Sequence, residues 1–228
     1  MAYRAGIFLF IVLVVLLCVL ILYSIAAGFV IGEVLAEIVV GIAGSVVIFP
    51  GAWRNAMRAR IPRLIWLRRI YPRYKNQSLK EFLFISISAG IVALLMSSVL
   101  FTLVPVEIAP EFKEYLDETG LDKPGGELAQ VVLVLTASIT EEIFFRFALI
   151  SFSIALLKPW RHAGSAIAVL ISSVSWTLMH TGITVPLGVK EVQIMIIGVI
   201  FGWLFLRYGI EASIIAHAIL NLNASLIS

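Results

Sequence analysis

Two adjacent carboxylates and an arginine interrupt a long apolar stretch, Leu128 to Leu157. As one helix this stretch is about 45 Å long at 1.5 Å per residue, against a hydrocarbon core of about 30 Å. Glu141, Glu142 and Arg146 then lie near the middle of a membrane. Charges at that depth cost roughly 2.5–3.5 kcal/mol each and normally face a bundle interior or a wet cavity. We therefore expect them to have partners.

Glu142 and Arg146 are four residues apart, so they share one helical face and can form an ion pair. Glu141 is turned about 100° away from its neighbour and has no local cation. A structural clamp between helices explains the pair. It does not explain the second carboxylate, which is the type of group that activates water in hydrolysis.

Two further pairs with a spacing of four lie in later apolar segments, Trp176 with His180 and His217 with Asn221. Each pair directs two side chains to the same side of a helix. A single intramembrane His or Asn is usually an interhelical hydrogen bond worth about 0.6–2 kcal/mol. Three such pairs in a chain with three histidines favour a shared site instead. The third histidine, His162, lies in a basic turn, where we expect it to be solvated.

The composition is that of a polytopic membrane protein. Apolar residues form 61% of the 228 residues and charged residues 14%, and the mean hydropathy is +1.05. This balance excludes an ordinary soluble domain. We predict an all-α bundle of about seven transmembrane spans, a single membrane domain over 1–228 with the active site inside it. The one cysteine, Cys18, excludes an intramolecular disulfide and a CxxC redox or zinc motif.

The first predicted span is too long for the apolar core of a signal peptide, so we expect it to be retained. The second span opens with Glu33 and Glu37, which could be ligands but are better explained as interfacial groups. No internal repeat is evident. The predicted spans are 6–27, 31–49, 82–104, 128–157, 164–183, 191–206 and 212–228.

The segment 53–80 contains nine Lys or Arg residues, several aromatics and no acid. Between two spans this pattern indicates a cytoplasmic loop on anionic lipid, rather than a nucleic-acid-binding segment. Alternate threading places thirteen of the seventeen basic residues on the side of this loop, including the basic turn Lys158–Arg161. The positive-inside rule then predicts a multi-pass protein of the cell membrane with a cytoplasmic N-terminus and an external C-terminus.

The three motifs together resemble a known family. Glu141-Glu142-Ile143-Phe144-Phe145-Arg146, Trp176-Thr177-Leu178-Met179-His180 and His217-Ala218-Ile219-Leu220-Asn221 resemble the motifs of type II CAAX prenyl endopeptidases and the wider CPBP (Abi) intramembrane protease family. The resemblance covers about Leu128 to Asn221, so the catalytic helices are expected within 128–228. The family usually carries Phe where this chain has Trp176.

The resemblance implies an endopeptidase that cuts a peptide or prenylated-protein substrate near the cytoplasmic face, for example by removing a C-terminal tripeptide. Glu141 would be the general base, with His180 helping to hold the water. His217 and Asn221 would donate hydrogen bonds to the oxyanion. By the same resemblance Glu142 and Arg146 would fix the local charge, and Trp176 would supply aromatic packing.

Two alternatives stay open at this point. Glu141, His180 and His217 could supply three ligands to a divalent metal such as zinc, although the chain has no His-Glu-x-x-His motif and a metal-independent site is favoured. Intramembrane Glu, His and Arg also occur in small transporters and proton relays. Such proteins more often show repeated halves or broken helices.

Counting along the predicted helices gives a conflicting estimate of depth. Glu141 and His180 lie about 24 Å from the predicted cytoplasmic ends of their helices, but His217 lies about 8 Å from the start of its own. A shared site then requires the last helix to begin earlier, to tilt, or to start below the surface.

Overall fold

The computed structural model describes residues 51, 54, 78–119, 135–157 and 160–227. This part of the chain is mainly helical, as predicted. Residues 135–141 are helical and lead into a π-helical segment, Glu142–Ile150. The remaining elements are α1 (Leu79–Leu103), β1 (Glu107–Ile108), α2 (Pro110–Thr119), α3 (Ser151–Leu156), α4 (Arg161–Met179), β2 (Thr184–Val185), α5 (Val189–Tyr208) and α6 (Ile210–Ile227).

Two of these helices, α1 and α5, are long and apolar enough to cross a membrane. Shorter apolar helices lie over Ala163–Met179 and Ile210–Leu222. The two N-terminal spans predicted over 6–27 and 31–49, with Cys18, Glu33 and Glu37, lie outside the described residues, as does most of the basic loop 53–80. The count of seven spans therefore stays a prediction.

Helix α1 shows how the sequence suits a membrane bundle. The hydroxyl of Ser78 accepts a hydrogen bond from the backbone N–H of Glu81 at 3.1 Å and so caps the helix start. Large apolar side chains such as Phe84 and Leu95 point outward, with 72% and 59% of their surfaces exposed. Small residues dominate the buried face, and this inverted arrangement is typical of helices packed in lipid. The buried residues are Phe82, Ser86, Gly90, Ala93 and Ser97.

Close helix contacts depend on glycines. A Cβ atom at Gly90 of α1 would lie 2.8 Å from the carbonyl oxygen of Ala216 in α6. A Cβ atom at Gly198 of α5 would lie 2.9 Å from the Cβ of Ser173 in α4. These distances are too short for a side chain at either position, so Gly90 packs against the backbone of α6 and Gly198 against the Ser173 side chain of α4.

The helix directions follow from the residues that meet. Helix α4 runs antiparallel both to the helix over 135–157 and to α5. The contacting pairs that show this are Leu157 with Gly164, Phe145 with Ser172, Ser173 with Gly198, and Val169 with Gly202. The basic turn is thus at one end of α4.

A short antiparallel ladder closes the opposite end of the described helices and was not predicted from the sequence. Glu107 of β1 pairs with Val185 of β2, and Ile108 pairs with Thr184. The backbone N–H of Ala109 also donates to the carbonyl of Ile183 at 2.9 Å. The ladder joins the connection after α1 to the connection between α4 and α5.

Replacing Gly90 by Val should destabilise the protein by about 1–3 kcal/mol, the usual cost of overpacking. The added atoms collide with the backbone of Ala216, which precedes His217, so activity should fall as well. Thermal unfolding in detergent measures the first effect. Leu95→Val, on the exposed face of the same helix, is the matched control, and equal melting temperatures for the two variants would contradict the predicted close contact.

Candidate active site

Glu142 is the centre of a buried polar cluster. The side chains of Glu142 and Arg146 are both fully buried, with 3.5 Å between Oε2 and Nε. Oε1 of Glu142 lies 3.0 Å from Nδ1 of His217. Because a carboxylate can only accept, the imidazole Nδ1–H donates this hydrogen bond. Glu142 therefore pairs with Arg146 as the spacing predicted, and it also fixes the orientation of His217.

His217 lies beside Glu141 as well. Its Nε2 is 3.9 Å from Oε2 of Glu141, and its ring packs between Trp176 and Phe201 with centroids 5.2 and 5.5 Å away. The structure thus brings His217 into the predicted cluster. The separation in depth estimated from the sequence was wrong, because it assumed upright helices with aligned ends. Helix α6 begins at Ile210, two residues before the predicted start.

Glu141 differs from its neighbour in exposure and in partners. About a quarter of its side-chain surface (24%) is exposed, so water can reach it. The indole Nε1 of Trp176 donates a hydrogen bond to its Oε2. The sequence offers Glu141 no local cation, and this neutral donor comes from another helix. Electrostatic attraction also links Glu141 to Arg146 and Lys190.

His180 ends α4 close to the same indole. Its Nδ1 lies 2.9 Å from the carbonyl oxygen of Trp176, so this nitrogen carries the donated proton when the ring is neutral. The His180 and Trp176 rings meet edge to face with centroids 5.7 Å apart. The Nε2 atom of His180 is then the nitrogen that can accept a hydrogen bond from water.

Asn221 reaches the cluster through a serine that the sequence gave no reason to choose. Its Nδ2 donates to Oγ of Ser138 at 3.1 Å. Ser138 is fully buried and stands one helical turn before Glu141 and Glu142. A lone serine in an apolar helix carries no motif, so its role could not be recognised from the sequence. The second amide proton of Asn221 is the one that can serve a substrate.

Arg146 stacks on the same tryptophan. Its guanidinium carbon lies 4.3 Å from the ring centroid of Trp176 and 6.0 Å from that of Phe145. Within the described part of the chain, none of its three side-chain nitrogens makes a hydrogen bond. The ion pair with Glu142 and the cation–π contact therefore hold this charge inside the bundle.

The first motif lies at the start of the π-helical segment, Glu142–Ile150. Such segments are rare in proteins and are frequent at functional sites. The hydroxyl of Ser172 in α4 donates to the carbonyl of Phe145 at 2.8 Å, so a neighbouring helix supports the irregular backbone.

A metal ion does not fit the arrangement of these residues. Among the described residues no three His, Cys, Asp or Glu side chains are placed to hold one. We therefore derive no chemical step through a metal.

The same helices match a known family. The family model "Type II CAAX prenyl endopeptidase Rce1-like" matches residues 126–223. This part of the chain is similar to the Rce1-like family. The match confirms the resemblance indicated by the three motifs.

The chain is also similar to the sporulation-killing factor biosynthesis protein SkfC of Bacillus subtilis (strain 168). The two are 29% identical over 147 residues, which cover 61% of this chain. The chain spans only 28% of the length of that relative. No solved structure matches the chain.

The two adjacent carboxylates should respond differently to substitution. Glu142→Ala leaves Arg146 and His217 without their buried partner, which should cost roughly 3–5 kcal/mol of stability. Glu141→Ala removes a partly exposed group with one hydrogen bond, at about 1 kcal/mol. Thermal unfolding of both variants in detergent separates the two roles. Equal destabilisation would contradict them.

The position of the cluster constrains the orientation of the protein. Glu141 and His180 lie about 24–28 Å along their helices from the basic turn, towards the β1–β2 end. With the basic turn in the cytoplasm, the cluster lies nearer the outer face. The predicted orientation and the predicted cleavage near the cytoplasmic face therefore exclude each other.

Labelling of single cysteines distinguishes the two predictions. Leu187, beside β2, and Trp160, at the start of α4, are 68% and 61% exposed. In a Cys18→Ser background and in sealed vesicles with the native outer face outward, an impermeant maleimide should modify Leu187→Cys and spare Trp160→Cys. The reverse pattern would place the β1–β2 end and the cluster on the cytoplasmic side.

Proposed function

We propose that the chain is an intramembrane endopeptidase in which Glu141 activates a water molecule for attack on a peptide carbonyl. The observation that carries this proposal is the pairing of a partly exposed carboxylate, Glu141, with the imidazole Nε2 of His217 3.9 Å away. A fully buried carboxylate, Glu142, orients that imidazole from behind. The carboxylate of Glu141 and Nε2 of His217 thus lie side by side at a position that water can reach.

The base and its water lie on the exposed side of the cluster. Glu141 takes a proton from water as the oxygen attacks, which is the role of a general base. The Nε2 atom of His180 accepts the other hydrogen of that water and keeps its oxygen directed at the carbonyl. When the tetrahedral intermediate collapses, the C–N bond breaks and protonated Glu141 returns the proton to the leaving amine.

The oxyanion is stabilised from the buried side. Because Nδ1 of His217 donates to Glu142, a proton on its Nε2 points towards the reacting centre, as in other carboxylate–histidine pairs. Counting Arg146 and His217 as cations and the two glutamates as anions, the cluster is neutral. Asn221 lies one helical turn beyond His217 and adds an amide donor.

The proposed substrate is a peptide with an attached or adjacent apolar group. The Rce1-like match favours a prenylated C-terminal CAAX segment that loses its last three residues. Lipid access is consistent with the apolar outer surfaces of α1 and α4, where Leu95 and Leu178 are 59% and 67% exposed. The cut would occur at the β1–β2 end of the bundle.

Cleavage of a farnesylated CAAX peptide by the purified protein in lipid nanodiscs tests the proposal, with an unprenylated peptide of the same sequence in parallel. We expect product from the native protein, background rates from Glu141→Ala, and a loss of about 10²–10³ in kcat from Asn221→Ala with little change in KM. Glu111→Ala, an exposed carboxylate in α2, is the matched control and should behave as native.

A chelator in the same assay tests the metal-independent mechanism, and we expect no loss of rate. Inactivation that zinc reverses would contradict it. An Asn221→Ala protein with native kcat would remove this residue from the oxyanion site. A Glu141→Ala protein that still cleaves would refute the proposed base.

A further inference from the structure

Trp176 contacts four other residues of the candidate site, through its indole N–H, its ring and its backbone carbonyl. The indole N–H donates a hydrogen bond to Glu141. The backbone carbonyl of Trp176 accepts one from Nδ1 of His180 at 2.9 Å. Arg146 lies over the ring at 4.3 Å, and His217 meets it at 5.2 Å. The side chain is only 3% exposed, so these contacts are made in a dry environment where each is strong.

The ring has no freedom to turn its N–H elsewhere. The guanidinium of Arg146 covers it at 4.3 Å, the His217 ring lies at 71° to it, and the Phe201 ring packs at 34° with 6.2 Å between centroids. Contacts from the π-helical segment, α5 and α6 thus fix the plane of the indole. Its one polar atom is left facing the carboxylate of Glu141.

We propose that Trp176 is a positioning residue whose indole N–H holds the Glu141 carboxylate in place facing His217. This inference rests on the proposed role of Glu141 as base. A hydrogen bond donated to a carboxylate favours the charged state over the protonated one. A phenylalanine, usual at this position in the family, would supply the ring without the donor.

Other charged or titratable groups also lie near the contact between Trp176 and Glu141, so the effect of the indole has to be separated from theirs. Glu142 and Arg146 lie on the same helix as Glu141, His217 comes from α6 and Lys190 from α5. His180, at the end of α4, lies beside the Trp176 ring. Trp176→Phe changes none of them and removes the N–H. Since the family works with a phenylalanine here, we expect this variant to stay active and to differ in its pH dependence.

The decisive measurement is the pH profile of kcat/KM for Trp176→Phe. A carboxylate base that has lost a hydrogen-bond donor is protonated more readily. The ionised form that acts as the base then appears at higher pH. The acid limb should move upward by about one pH unit, which means about a tenfold lower kcat/KM on that limb. Trp203→Phe is the matched control, because Trp203 is 53% exposed and contacts Tyr208 away from the cluster. Its profile should be native.

A spectroscopic measurement tests the contact without any substrate. In the protein with ¹⁵N-labelled indoles, the signal that Trp176→Phe removes belongs to Trp176. Its N–H proton should resonate at low field, move as Glu141 titrates, and lose that titration in Glu141→Gln. β-(3-benzothienyl)alanine at position 176 keeps the ring shape and lacks the N–H, so it replaces Trp176→Phe if that variant does not fold.

The outcomes separate this inference from the proposed function. A native pH profile for Trp176→Phe in an active enzyme, or an indole signal indifferent to Glu141→Gln, overturns the inference and leaves the peptidase proposal intact. If no peptide is cleaved, the proposed function fails. The indole signal then still decides whether Trp176 holds the carboxylate.

Discussion

The described part of the bundle depends on a buried negative charge that must be neutralised. Glu142 has no exposed surface and is held by Arg146 on its own helix and by His217 on α6. Removing either partner would leave a charge in a medium that cannot solvate it, at a cost comparable to the whole stability of many domains. The helix over 135–157 and α6 are therefore fixed in one register, with Ser138 and Asn221 as a second contact one turn away.

The same register brings the remaining groups together. Arg146 lies over the face of Trp176, and the indole N–H of the same ring from α4 donates to the partly exposed Glu141. The backbones can approach this closely because Gly90 and Gly198 present no side chain at the crossings. The same contacts thus pack the helices, neutralise the buried charges and place the proposed catalytic groups.

Burial explains why two neighbouring glutamates can do different work. Glu142 is fully enclosed and lies against Arg146 and His217, which suits a group that orients an imidazole. Glu141 is 24% exposed and faces His217 across 3.9 Å, which suits a group that exchanges protons with water. The contrast arises because successive residues of a helix point in directions about 100° apart. The Rce1-like match in this region is in keeping with hydrolase chemistry.

The sequence by itself determined the helical class, the three motifs with the family that they resemble, and the Glu142–Arg146 pair, because these depend on composition or on the fixed spacing of neighbours along one helix. Only the tertiary structure decided that Trp176 holds Glu141, that His217 pairs with Glu142, and that the cluster lies at the end closed by β1 and β2. Those partners are 35 and 75 residues apart in the chain. Their meeting depends on helix tilt, crossing and end alignment, which residue spacing along a single helix does not specify.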